Sequence, residues 1–144
     1  MTAIYAGSMR FCRGGLSGLL LLALAWPLPG RAADGTEFRA ALAAATMQYR
    51  VAMNTLERSG QAETAAEVRH FREAWQAVID RAGANRPAAY ATTEEYYGML
   101  MQVDTSIVGA LLVIDLGSRD AARNSLAPIE EILLRMQDDP APPG

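Results

Sequence analysis

Apolar residues recur at spacings of three and four in four consecutive segments of this chain, which places them on one face of a helix in each segment. The clearest example covers residues 67–79, where Val68, Phe71, Trp75 and Val78 share a face. Charged residues fall mostly on the other faces of that segment. No segment shows the alternation typical of a β-strand. The sequence therefore predicts an all-α fold.

Short breaks separate the four predicted helices. The expected bounds are Thr36 to Arg58, Gln61 to Ala82, Thr92 or Thr93 to Leu116, and Arg119 onward. Pro128 is expected to kink the last helix, or to split it into Arg119 to Leu126 and a segment from about Pro128. Most of the links have two or three residues, and the link between the first two helices leaves no chain for a crossover. The prediction is an up-down-up-down antiparallel four-helix bundle.

Turn and capping residues mark the helix ends. Asp34 with Glu37, and Thr92 with Glu95, have the form of capping boxes. Gly60 is expected to take a left-handed conformation after the first helix, and Gly117 is expected to end the third helix before Ser118 caps the fourth. These expected boundary residues are Asp34, Glu37, Gly60, Thr92, Glu95, Gly117 and Ser118.

The third predicted helix is more apolar than the others. Its expected core residues are Tyr96, Tyr97, Leu100, Val103, Ile107, Leu111 and Ile114. The further apolar residues between Ile107 and Leu116 predict contact on two sides. Gly98 and Gly109 lie inside this helix, where glycine is unfavourable, so they predict close packing of a neighbouring helix.

The N-terminal residues have the form of a secretory signal peptide. Arg10 and Arg13 precede an apolar run from Leu16 to Trp26, and small residues around Ala32 suit a signal peptidase. The run is about half of the ~20 residues that a membrane span needs. We expect residues 1–32 to be removed, with cleavage after Ala33 as the alternative. Residues 33–137 would then form a periplasmic bundle without a stable membrane anchor, and residues 138–144 a disordered tail.

Charge and cysteine content narrow the classes of partner. All 13 basic residues are arginine, and the one cysteine, Cys12, lies in the leader. The predicted mature chain therefore has no disulfide. It keeps ten arginines against 16 acidic residues, a net charge of −6. An acidic surface argues against binding nucleic acid.

Glu67-x-x-His70 is the most attractive metal-binding pattern in the chain. Di-iron bundles use a Glu-x-x-His pair on each of two helices, whereas this chain has one histidine. Asp104 and Asp115 on the third helix do not replace the missing ligand. We therefore expect His70 to be a half-solvated histidine paired with Glu67 or Glu73, and to be at most a weak metal ligand.

A haem or copper site is the other cofactor possibility. The architecture is similar to that of the cytochrome c′ and cytochrome b562 bundles, but the Cys-x-x-Cys-His attachment motif is absent. An axial pair of His70 with Met53 or Met99 stays open on spacing alone. Met99 and Met101 are two residues apart on a helix, so they are expected to point to different faces.

Catalytic residues do not form a recognisable set. There is no cysteine nucleophile outside the leader, no glycine-rich phosphate loop, and no serine or aspartate partner that spacing assigns to His70. Asp104 falls on the core side of its helix and is expected to pair with an arginine such as Arg72 or Arg123. The sequence indicates a non-enzymatic protein.

Three short patterns resemble a family of small exported helical-bundle proteins of proteobacteria. They are Phe71-x-x-Ala74-Trp75-x-x-Val78, Pro87-x-x-Tyr90 and Leu126-x-Pro128-Ile129. Members of that family often carry arginine after the Pro-Ile pair, where this chain has Glu130. The patterns mark packing and turn positions, so the resemblance implies a helical bundle and assigns no functional residue.

Together these features predict a periplasmic binding or accessory protein that acts on a protein partner or associates with itself. The alternative is a small haem or metal carrier that uses His70.

Overall fold

The computed structural model describes residues 31–83 and 85–138, with side chains from residue 35 onward. Its elements are α1 (Arg31–Arg58), α2 (Gln61–Arg81), α3 (Thr93–Asp115), α4 (Arg119–Leu126) and α5 (Ile129–Met136). No strand occurs within these described residues. The prediction of an all-α fold is confirmed. The leader before Arg31 and the tail after Asp138 lie outside the described residues.

The helices pack around one apolar core. α1 packs along α2, α2 along α3, and α3 against α4, while α1 also contacts α4 and α5. The buried positions lie on one face of each helix, and on α2 this is the predicted apolar face. On α2 they include Val68, Phe71, Trp75 and Val78, all fully buried. Burial of these apolar side chains is the main contribution to stability.

The break at Pro128 is confirmed. α4 ends at Leu126, and α5 begins at Ile129 after Pro128. Proline lacks the N–H that a continuous helix needs, and its ring clashes with the preceding turn. The break leaves both segments against the core, since the buried residues on them are Ala122, Leu126, Ile129, Ile132, Leu133 and Met136.

Two predicted boundaries are wrong. α1 begins at Arg31, so Asp34 lies inside the helix instead of capping it. Gly60 has φ −74° and ψ 171°, an extended conformation, and is the N-cap of α2. Its N–H donates to Glu63 Oε2 at 3.3 Å. With only Ser59 and Gly60 between the helices, Gly60 must already start α2.

The turns around α3 follow the prediction more closely. Thr92 caps the helix by accepting a hydrogen bond from the Glu95 N–H at 3.1 Å. Gly117 has φ +80°, the left-handed conformation that glycine tolerates best. Ser118 is the N-cap of α4, although its side chain makes no capping hydrogen bond.

The outward face of α3 differs from the prediction. Tyr97 was expected in the core but is exposed, as are Val108, Leu112 and Leu116, where contact on two sides was expected. A Cβ atom built on Gly98 or on Gly109 meets no atom within 4 Å, so no neighbouring helix packs there. Packing by α2 and α4 covers the opposite face of α3 and leaves this one to solvent.

Candidate functional site

His70 and Glu67 lie one helical turn apart on α2. His70 Nδ1 is 3.5 Å from Glu67 Oε2, and the His70 side chain is 55% exposed. The predicted pairing with Glu67 is confirmed. Within the described residues, no group of three or more His, Cys, Asp or Glu side chains lies close enough to hold a metal ion. The pair supplies two ligands on an open surface, where structural metal sites use four and catalytic sites at least three.

The residues predicted as possible haem ligands lie in different surroundings. Axial ligands must face a cleft that covers the macrocycle, yet His70 faces solvent, while Met53 and Met99 pack against the core. One described cavity, lined in part by Tyr49, Arg50 and Glu130, has a volume of about 20 Å³. That is room for about one water molecule. Met101 is exposed whereas Met99 is half-buried, so the two thioethers point to different faces as predicted.

Asp104 joins α3 to α2. Its Oδ1 atom accepts from Arg72 Nε at 3.3 Å and from Gln76 Nε2 at 2.9 Å. Of the two predicted partners, Arg72 is therefore the correct one, and Arg123 instead lies 3.8 Å from Glu57. Asp104 sits at the edge of the core with both contacts on α2, which makes it a packing residue between helices.

A tyrosine cluster lies at the N-terminal end of α3, and spacing alone did not reveal it. The ring centroids of Tyr90 and Tyr96 are 5.4 Å apart, and those of Tyr96 and Tyr97 are 5.9 Å apart. The guanidinium of Arg135 lies 5.8 Å from the Tyr90 ring centroid. Tyr90 is fully buried. The cluster closes the core beneath the turn before α3.

Burial dominates the chemistry of this cluster. Among the described residues, the hydroxyls of Tyr90 and Tyr96 have no hydrogen-bond partner. Burial raises the pKa of Tyr96, and the neighbouring phenols of Tyr90 and Tyr97 raise it further. Burial also raises the pKa of Tyr90, against the lowering effect of Arg135. Neutral, buried phenols of this kind are suited to packing, since general acid–base catalysis calls for a pKa near the working pH.

The remaining candidate is an apolar outward face on α3. Its exposed large residues are Tyr97, Met101, Val108, Leu112 and Leu116. Between residues 96 and 114 the only charged side chain of α3 is Asp104, which is turned toward α2. We call this surface the α3 face. It comprises Tyr97, Gly98, Met101, Thr105, Val108, Gly109, Leu112 and Leu116. A contiguous exposed apolar surface on a helix is a candidate interaction site.

α3 also has the length and composition of a membrane-crossing helix, the one such helix among the described residues. Only 28% of its most apolar stretch is buried inside the fold. A core helix of a soluble protein passes the same test of length and composition, so one such helix is weak evidence for a membrane span. The α3 face comprises the apolar residues of this helix that the fold leaves exposed.

No protein-family model, curated protein or solved structure matches this chain. The resemblance to exported helical bundles of proteobacteria stays a prediction, and the function is argued from the α3 face.

Proposed function

We propose that this chain is an exported, non-catalytic binding protein, an up-down-up-down four-helix bundle that docks a protein on the α3 face. The observation that carries the proposal is the exposure of Met101, Val108 and Leu112 on a helix face without charge. Water contact with such a surface is unfavourable by roughly 25 cal/mol per Å² of apolar area. A protein partner that covers it recovers that free energy.

Contacts between helix ends support the bundle topology. Glu37, early in α1, has its Oε2 atom 3.8 Å from Arg81 Nε at the end of α2. Gln61, at the start of α2, donates its amide to the Ile114 carbonyl at the end of α3 at 2.7 Å. Each pair joins the start of one helix to the end of the following one, as antiparallel neighbours require.

A membrane is a poorer occupant of the α3 face than a protein. Inserting α3 into a bilayer would separate Asp104 from Arg72 and Gln76, and an aspartate at the centre of a membrane helix costs about 2.5–3.5 kcal/mol even on insertion scales. Glu94 and Glu95 flank the face at its N-terminal end, where they would oppose anionic head groups. The inward residues of α3 are already packed against α2 and α4.

Site-specific photo-cross-linking in cells tests the docking. A photoreactive amino acid placed at Leu112 is expected to form a protein adduct. Leu134 on α5 is the matched control, since its side chain is 57% exposed against 62% for Leu112 but has Glu130, Glu131 and Arg135 as near neighbours in sequence. Equal labelling from both positions, or none from Leu112, would contradict docking on the α3 face.

Export is tested separately. Cell fractionation is expected to place the protein in the periplasm, and mass spectrometry of the purified protein is expected to show an N-terminus at Ala33 or Asp34. That cut lies in the first turn of α1, where loss of Arg31 and Ala32 leaves the buried residues from Phe38 onward in place. Intact protein retained in the cytoplasm would contradict export and leave the docking proposal standing.

A further inference from the structure

We propose that the protein docked on the α3 face is a second copy of this chain, with the two α3 helices antiparallel about a two-fold axis at Thr105. This inference rests on the proposed function, because it names the partner of the same surface. It is carried by the order of large and small residues on the face and by the absence of charge along it.

The α3 face is symmetric about Thr105 in spacing and complementary in size. Met101 and Gly109 each lie four residues from Thr105, and Gly98 and Leu112 each lie seven residues from it. Spacings of three and four keep all five on one side of the helix. In an antiparallel pair centred on Thr105, Met101 of one copy is level with Gly109 of the other, and Leu112 is level with Gly98. Met101 and Leu112 therefore each meet a residue without a side chain.

The two glycines leave real space for those side chains. A Cβ atom at Gly98 or Gly109 would meet nothing within 4 Å, so no atom of the same chain fills either position. In a parallel pair each residue would instead face its own copy. Glycine would face glycine at Gly98 and at Gly109, which leaves two gaps, and the two Leu112 side chains would crowd each other. Close packing favours the antiparallel pair.

The polar side chains of Thr105 and Asp104, at and beside the proposed axis, do not oppose burial of this face. The Thr105 hydroxyl at the proposed axis donates to the Met101 carbonyl of its own helix at 3.0 Å, so pairing leaves it satisfied. Asp104, next in sequence, has its carboxylate on Arg72 and Gln76 of α2. The interface therefore buries neither an unpartnered hydroxyl nor a free carboxylate from these two positions.

Charge does not oppose a second copy at this face. The predicted mature chain has a net charge of −6, and copies of the same sign repel where charged faces approach. The α3 face carries no charged side chain, so the α3 faces of two copies do not repel each other. A contact that uses one patch on both subunits is the isologous type that closes a two-fold dimer.

The size of the face sets the strength of the contact. At 1.5 Å per residue and a helix about 10 Å wide, the strip from Tyr97 to Leu116 covers roughly 300 Å² per copy. Stable complexes bury about 800 Å² per partner. A contact of this size forms a weak, reversible dimer that exchanges with monomer.

Sedimentation of the protein in the form that cells export tests the dimer. We expect a concentration-dependent monomer–dimer equilibrium across the micromolar range. Leu112→Glu should weaken it by about tenfold or more, because a carboxylate then enters the interface. Leu134→Glu is the control and should leave the equilibrium unchanged. A monomer at every concentration, or equal effects of the two variants, would overturn the proposal.

Gly109→Leu is a second variant that separates loss of dimerisation from loss of folding. Leucine has a higher helix propensity than glycine and meets open space here, so the melting temperature of the monomer should rise. The same side chain occupies the room that Met101 of the other copy needs, so the dimer should weaken. A variant that is both more stable and less dimeric supports the proposal. A stabilised variant with unchanged dimerisation overturns the register.

Cysteine cross-linking tests the register directly, in a chain that also carries Cys12→Ser. Thr105→Cys should form a disulfide with itself across the axis. Gly98→Cys and Leu112→Cys should cross-link when mixed, and each should do so poorly alone. Self-linking of Gly98→Cys with no mixed product would overturn the antiparallel arrangement.

The experiments separate failure of this inference from failure of the proposed function. If the purified protein is monomeric while the Leu112 photo-cross-linker captures a different protein, the second copy is wrong and protein docking stands. If Leu112 captures nothing and the protein floats with phosphatidylcholine vesicles in a Leu112-dependent way, the face binds a bilayer and both proposals fall.

Discussion

The indole N–H of Trp75 on α2 donates to the backbone carbonyl of Leu100 on α3 at 3.1 Å. Both residues are fully buried, and the bond crosses the interface between the two helices. It satisfies the one polar atom of the indole at the centre of an apolar core. The bond therefore fixes the position of α3 along α2, and with it the position of the α3 face.

Truncation of Trp75 should destabilise the fold strongly. Trp75→Ala removes a fully buried aromatic ring, and such changes cost about 3–5 kcal/mol. The free energy of unfolding, measured by urea denaturation, should fall by that amount. Trp75→Phe is the control: it keeps most of the volume and loses the bond to Leu100, so its loss should be smaller. A Trp75→Ala midpoint close to wild type would contradict the core assignment.

Gly117 and Gly98 should respond in opposite directions to alanine. Gly117 has φ +80°, so Gly117→Ala forces a side chain into the left-handed region at a cost of about 1–3 kcal/mol. Gly98 is helical with open space at its Cβ position, so Gly98→Ala should stabilise the monomer by about 0.5–1 kcal/mol. Both are read from thermal unfolding at dilute concentration. A change of the same sign at both positions would contradict this account.

Stability should fall steeply in alkaline solution. Burial, with a smaller contribution from Glu130, raises the pKa of Tyr49 to about 12. The unfolded value is about 10, so the folded state holds the phenol proton more tightly. The stabilisation is therefore complete below about pH 10 and is lost as pH rises through about 12.

Thermal unfolding between pH 9 and pH 12 measures this loss. Tyr49→Phe should flatten the decline, although it begins from a lower stability because the hydroxyl no longer donates to the Leu126 carbonyl at 3.3 Å. Absorbance at 295 nm should show Tyr49 protonated in the folded protein at pH 11. Ionisation of Tyr49 near pH 10 without unfolding would be inconsistent with its burial.

His70 should be dispensable for folding and for metal content. Its imidazole is exposed and its one described ion-pair partner is Glu67 on the same helix. Exposed pairs of this kind contribute little. We expect His70→Ala to keep the wild-type melting temperature, and elemental analysis to give the same metal content as wild type. Stoichiometric metal or a haem absorption band that disappears in His70→Ala would revive the carrier alternative.

The candidate site was only partly predictable. Spacing identified the Glu67–His70 and Asp104–Arg72 contacts, since helical periodicity and charge restrict the partners of each residue. It misassigned Tyr97, Gly98 and Gly109 because apolar and small residues look the same in sequence whether a helix covers them or not. The packing of α2 and α4 on one side of α3 decides which of these positions stay open.

The sequence by itself determined the helices, their ends near Arg58, Thr92 and Gly117, the break at Pro128, and most of the buried positions. These follow from local physics: backbone hydrogen bonding, capping, proline sterics and the period of 3.6 residues per turn. Only the tertiary structure decided which apolar residues remain exposed, because exposure depends on how many helices surround each one. α3 has more apolar surface than α2 and α4 cover, and that surplus is the α3 face.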